Sequence, residues 1–150
     1  MVKLADYNSR FNRTWDESKR IGNDGENRVA GLFRSLGLAV QNHEGFYPHD
    51  LTISGRIEVK NDTKAVTTGN AAVEISYRGN PSGITSSTAS GWAIIVNDYV
   101  YLTPTARLRT MVETGSYKRV SAGEGATVAL VPLADLKSIS RVAHIGGATR

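Results

Sequence analysis

Between residues 23 and 37, apolar positions recur at three- and four-residue intervals: Val29, Ala30, Leu32, Phe33 and Leu36. That spacing predicts a helix opening at Asn23 or Asp24 and stopping at Gly37. Upstream, residues 1–22 mix polar and charged positions with Tyr7, Phe11 and Trp15 and show no clean period, so an N-terminal arm is expected. Downstream the period shortens to two. Strands are expected at 38–41, 50–53, 56–60 and 71–77, the second and third forming a hairpin through the turn pair Ser54-Gly55. A turn follows at 79–83, then a hairpin of 92–96 and 99–102 around Asn97-Asp98. Thr103-Pro104-Thr105 opens a helix to about residue 113. A strand at 128–131, a helix at 133–139 and a flexible tail over 141–150 complete the reading. Helix, several strands, helix, strand, helix is the order of a single α/β domain around a mixed sheet.

Composition narrows the classes. A chain of 150 residues suits one domain and can bury about two-thirds of its unfolded surface. No apolar run approaches the roughly 20 residues needed to span a bilayer, so no membrane partner is expected. The first fifteen residues lack the unbroken apolar stretch of a signal peptide. The absence of cysteine removes disulfides and thiolate metal ligands and is compatible with a reducing cytoplasm, the expected location. The net charge of +4 is compatible with a polyanionic partner without demanding one.

The candidate chemistry lies in YPHDLTISGRIEVKND, residues 47–62. In a strand over 56–60, Arg56, Glu58 and Lys60 share one face and Ile57 and Val59 the other. Asp50 and Thr52 share a face of the preceding strand. Two carboxylates brought close repel unless a proton or cation holds them. Mg²⁺ is a hard cation that takes one or two carboxylates together with water and phosphate oxygens. Glu58 and Lys60 alone would read as a solvated pair offsetting one another. A third acid, Glu26, falls on the helical stripe of Val29, Ala30 and Phe33, although Asn23-x-x-Glu26 also matches a capping box.

The set Glu26, Asp50 and Glu58-Val59-Lys60 resembles the PD-(D/E)XK nuclease superfamily. Within it, residues 22–62 look most like the small Holliday-junction resolvases of archaea and phages. His49 stands between Pro48 and Asp50, where the family's name-giving motif has proline directly before aspartate. The resemblance implies a restriction-endonuclease-like core and one or two Mg²⁺ or Mn²⁺ ions. Asp50, Glu58, Glu26 and the Val59 carbonyl would hold the metal, and Lys60 would orient water or offset transition-state charge. It further implies a homodimer cutting branched, four-way DNA, in a bacterial host cell if the chain is of phage origin.

Further residues are expected around that site. Thr68 and Asn70 flank Gly69 as candidate phosphate contacts, with Arg56, Lys64 and Ser82 as other nucleic-acid contacts. Glu74, on the strand face of Ala72 and Ser76, is an outer acid. Arg107 and Arg109 read as solvated surface, and His43, His49 and His144 form no ligand set. The apolar hairpin near Trp92 and the N-terminal arm are candidate dimer surfaces. Two other functions share these residues: a nicking, restriction-type or exonucleolytic enzyme, and a non-catalytic nucleic-acid-binding module.

Overall fold

The computed structural model describes residues 14–45 and 48–145. The expectations for residues 1–13 and for 146–150 lie outside the described residues. The rest is a mixed α/β fold of four α-helices and three groups of strands.

Helix α1 (Trp15–Ser35) starts well before the apolar stripe does. Its capping box is Thr14 with Glu17. Glu17 N donates to Thr14 Oγ1 at 3.2 Å, and Thr14 N donates to Glu17 Oε2 at 3.0 Å. The arm expected over 1–22 is therefore helical from Trp15, and Asn23-x-x-Glu26 is not a cap but mid-helix. The helix stops where expected, with Gly37 in the left-handed region at φ 82.

Helix α1 packs on a separate ribbon of β1 (Ala39–Asn42) and β2 (Leu51–Ser54), paired antiparallel with Val40 opposite Ile53. Arg34 Nη2 ties the two together, donating to Val40 O at 3.2 Å and Asn42 Oδ1 at 2.9 Å. Here the expected hairpin through Ser54-Gly55 is corrected. Strand β3 (Ile57–Asn61) does not pair with β2. It runs parallel to β6 (Gly91–Val96), with Glu58 beside Trp92 and Lys60 beside Ile94.

Strand β6 also pairs with β7 (Tyr99–Pro104) through the predicted turn, where Asn97 takes a φ of 53 that asparagine tolerates well. The last described strand, β10 (Arg141–His144), pairs with β7, so the tail expected over 141–150 is ordered through His144. This sheet has the order β10-β7-β6-β3 and leaves β3 at its edge.

A second four-stranded sheet contains β4 (Asn70–Tyr77), β5 (Asn80–Pro81), β8 (Arg119–Ser121) and β9 (Ala126–Pro132), in the order β5-β4-β9-β8. The one-turn helix α2 (Ala65–Thr68) precedes it. A 3₁₀ turn (Gly83–Thr85), α3 (Thr105–Thr114) and α4 (Leu133–Ile139) complete the fold.

The core gathers the inner faces of both sheets. Val73, Ile84, Trp92, Ile94, Leu108, Val131 and Leu136 form one buried cluster. Strand β6 is buried along nearly its whole length, as befits an interior strand with apolar residues on both faces. Trp92 is 2% exposed, so the first strand of this hairpin supplies core, while Tyr99 at the start of its second strand is exposed.

Candidate functional site

Glu58 and Lys60 extend from the same face of β3, and Lys60 Nζ lies 2.7 Å from Glu58 Oε1. The Trp92 ring of the neighbouring strand supports the lysine, with the ammonium 5.7 Å from the ring centroid. Val59 faces the other way and is 58% exposed. The spacing of Glu58 and Lys60 follows directly from strand alternation on a backbone anchored by β6.

Glu74 reaches the same place from the second sheet. Between Glu74 and Ser76 the pairing of β4 with β9 slips by one residue, leaving Ile75 as a bulge. Such a bulge bends the strand and re-aims its neighbours. Ser82 exploits the bend: its N–H donates to Ile75 O at 3.2 Å and its hydroxyl to Glu74 Oε1 at 2.6 Å. The chain passes so close to Glu74 at Gly83 that a Cβ there would collide with the Glu74 backbone. Only glycine fits.

The result is an open cleft of about 450 Å³. Arg56, Glu58, Lys60, Glu74, Ser82 and Trp92 line it, together with Ser86, Ser87 and Thr88. Asp62 links its two sides. Its Oδ1 accepts from Lys64 N at 3.2 Å and Ala65 N at 3.0 Å, and its Oδ2 accepts from Ala72 N at 2.8 Å. One carboxylate thus joins the end of the β3 segment to the start of β4.

The remaining predicted residues lie elsewhere. Glu26 and Asp50 line a separate cavity of about 340 Å³ with Lys19, Asn23, His43 and Glu44. Nearby, Thr52 Oγ1 is 2.7 Å from His43 Nε2 and 3.2 Å from His49 Nε2, and the two imidazoles stack edge to face. Thr68 and Asn70 bond to each other around Gly69: the Thr68 hydroxyl donates to Asn70 O, and Asn70 Nδ2 donates to Thr68 O. They close a turn leading into β4. The Lys64 backbone is engaged by Asp62, and Lys64 does not line the cleft.

The chain matches no family model, no curated protein and no solved structure. Among the described residues, no three His, Cys, Asp or Glu side chains gather where a metal could be held. The ligand set Glu26, Asp50 and Glu58 is thus divided between two cavities. Glu58 and Glu74 remain as two carboxylates on one polar cleft. Glu58 is paired with Lys60 and Glu74 accepts from Ser82, so an ion such as Mg²⁺ held by these two would draw its remaining ligands from water and substrate phosphate.

Two participants carry no local sequence signal. Trp92 reads as an ordinary strand residue, and its place in the cleft depends on a pairing more than thirty residues away. Arg109 is not the solvated residue expected; it donates to Ile84 O at 3.0 Å and Ser87 O at 2.7 Å.

Proposed function

We propose that this protein is a metal-dependent, structure-selective DNA endonuclease that resolves four-way junctions, with a restriction-endonuclease-like core and Mg²⁺ or Mn²⁺ as cofactor. The observation that carries this reading is the convergence of Glu58, Lys60 and Glu74 on one open polar cleft. Phosphodiester hydrolysis needs a phosphate held, a water oriented and the charge developing on phosphorus offset. Arg56 and the hydroxyls of Ser86 and Thr88 provide phosphate donors, Arg56 with the planar fork suited to two oxygens. Lys60 exchanges its Glu58 partner for the scissile phosphate, and Glu58, so released, accepts a proton from the water that attacks phosphorus, while the opposite P–O bond breaks and its leaving oxygen takes a proton from solvent. Glu74, oriented by Ser82, supplies the second carboxylate. When bound, Mg²⁺ acidifies a water and offsets charge on the phosphate. Symmetric cutting of a junction needs two such clefts, which a homodimer with two-fold symmetry supplies.

A non-catalytic DNA-binding module is the second reading, favoured by one observation: Asp50 and Glu58 lie in separate cavities. Incubation with a synthetic four-way junction, linear duplex and single strands, in Mg²⁺ or EDTA, separates the two. Paired nicks in the junction, dependent on Mg²⁺, are expected. Degradation from free ends would make the protein an exonuclease. Binding without metal-dependent cutting would overturn the enzyme reading.

A further inference from the structure

The hydroxyl-bearing wall of the cleft, residues 82–88, is held from behind. Apart from the 3₁₀ turn, it has no regular structure of its own. Two of its carbonyls, Ile84 O and Ser87 O, are taken by the half-buried guanidinium of Arg109 on α3. Ser87 then relays the constraint forward. Its hydroxyl oxygen accepts the Trp92 indole N–H at 3.1 Å, and Lys60 lies over that ring. A continuous series of contacts therefore runs from α3 through the wall to the Glu58–Lys60 pair.

The residue type matters. Two carbonyls three residues apart require donors in two fixed directions, which a planar guanidinium offers and an ammonium, a compact point charge, does not. Among the described residues Arg109 forms no ion pair, so carbonyl dipoles alone hold its charge. That guanidinium lies behind the wall formed by residues 82–88, where its charge favours an anionic ligand.

We propose that Arg109 is a positioning residue for the cleft. It fixes the hydroxyl wall and, through Ser87, the Trp92 ring beneath Lys60, so that the wall can receive a DNA backbone phosphate. The proposal rests on the nuclease reading. It goes beyond that reading in assigning the positioning of the phosphate-receiving wall to a residue that does not itself line the cleft.

The test uses a Trp15→Phe background, in which Trp92 is the sole indole of the two the chain carries. Arg109→Lys, Arg109→Met and Ser87→Ala are compared for Trp92 emission and for four-way-junction affinity in EDTA. Both Arg109 variants are expected to move the emission to longer wavelength and to weaken binding about tenfold. Ser87→Ala should reproduce the emission change with a smaller loss of affinity, because the Arg109 contacts to backbone remain. Folded Arg109 variants with unchanged emission and affinity overturn the proposal, and a lowered melting temperature alone reduces Arg109 to scaffold. If Arg109→Met does not fold, Arg109→Lys decides, since it keeps the charge and the aliphatic stem. If the wild-type chain binds no DNA, the nuclease reading falls and this proposal with it. If wild type binds and the variants bind equally well, only the proposal falls.

Discussion

Glu58 stands on a strand whose parallel neighbour contributes Trp92 and Ile94 to the core, whereas Asp50 lies just before a two-stranded ribbon that packs against α1. The two acid-bearing cavities are similar in chemistry and differ in foundation. The first reaches the buried cluster through Trp92 of β6 and Val73 of β4, while Ile57 and Val59 on β3 itself are exposed. Beneath the second, Ala30 of α1 and the C-cap residue Leu36 are buried, while Ile21, Val29 and Leu32 on the same helix are well exposed. A carboxylate is fixed only as firmly as the packing under the backbone that bears it. The Glu58–Glu74 cleft is thus tied to the core through β4 and β6, whereas the Glu26–Asp50 cavity lies between α1 and the β1–β2 ribbon.

The largest expected effect tests that contrast directly. Glu58→Ala or Lys60→Ala should lower junction cutting about a thousandfold, the scale of losing a principal transition-state contact. Asp50→Ala should cost less than tenfold, a free-energy difference of under about 1.4 kcal/mol. Equal losses in a gel-based cleavage assay would break the contrast and show that the two cavities act as one.

Stability should divide along the same line. Leu108, fully buried, should cost about 3 kcal/mol when replaced by alanine. Leu32→Ala, on the exposed side of α1, should cost no more than about 0.5 kcal/mol. Urea titrations of both variants measure the difference. Asp62→Ala comes next, at about 2 kcal/mol, because three backbone N–H groups lose their acceptor. If Asp62 sets the gap across the cleft, the same variant should also raise the Mg²⁺ concentration needed for half-maximal cutting.

The smallest effect lies away from both cavities. Burial first, and then the hydrogen bond to Asp135 and its negative charge, raise the Tyr117 pKa above 10.0. The folded state holds the phenol proton more tightly than the unfolded chain. The contribution is therefore complete below the unfolded pKa and is lost as pH climbs through the folded one. Tyr117→Phe should flatten the stability profile on the alkaline side only, as followed by thermal melts across that range.

Much of the fold was legible because its signals are local. The hairpin of β6 and β7 announced itself by two apolar runs around Asn97-Asp98, and α4 was placed at its observed bounds. The start of α1 was misread because Asn23-x-x-Glu26 and Thr14-x-x-Glu17 satisfy the same capping pattern. Polar and charged residues before Asn23 show no clean apolar period, so the first turns of the helix carried no signal of their own. Ser54-Gly55 carried a turn signal, but β2 pairs back onto β1, and the partner of β3 lies beyond any local window. The E-x-K spacing of the candidate site was visible for the same local reason, and so was Glu74. Which acids meet was not, since that depends on how separate sheets pack.

The parallel pairing of β3 with β6 also imposes an order in time. While the chain forms, β3 has no partner until some thirty residues more have arrived, and closing so long a loop costs entropy before any contact repays it. The β6–β7 hairpin closes over two residues and can template the strand that carries Glu58 and Lys60. Pulsed hydrogen exchange during refolding should protect β6 and β7 amides before those of β3. An incompletely folded chain therefore lacks an assembled cleft, and whatever chemistry the cleft performs is withheld until the surrounding scaffold is in place.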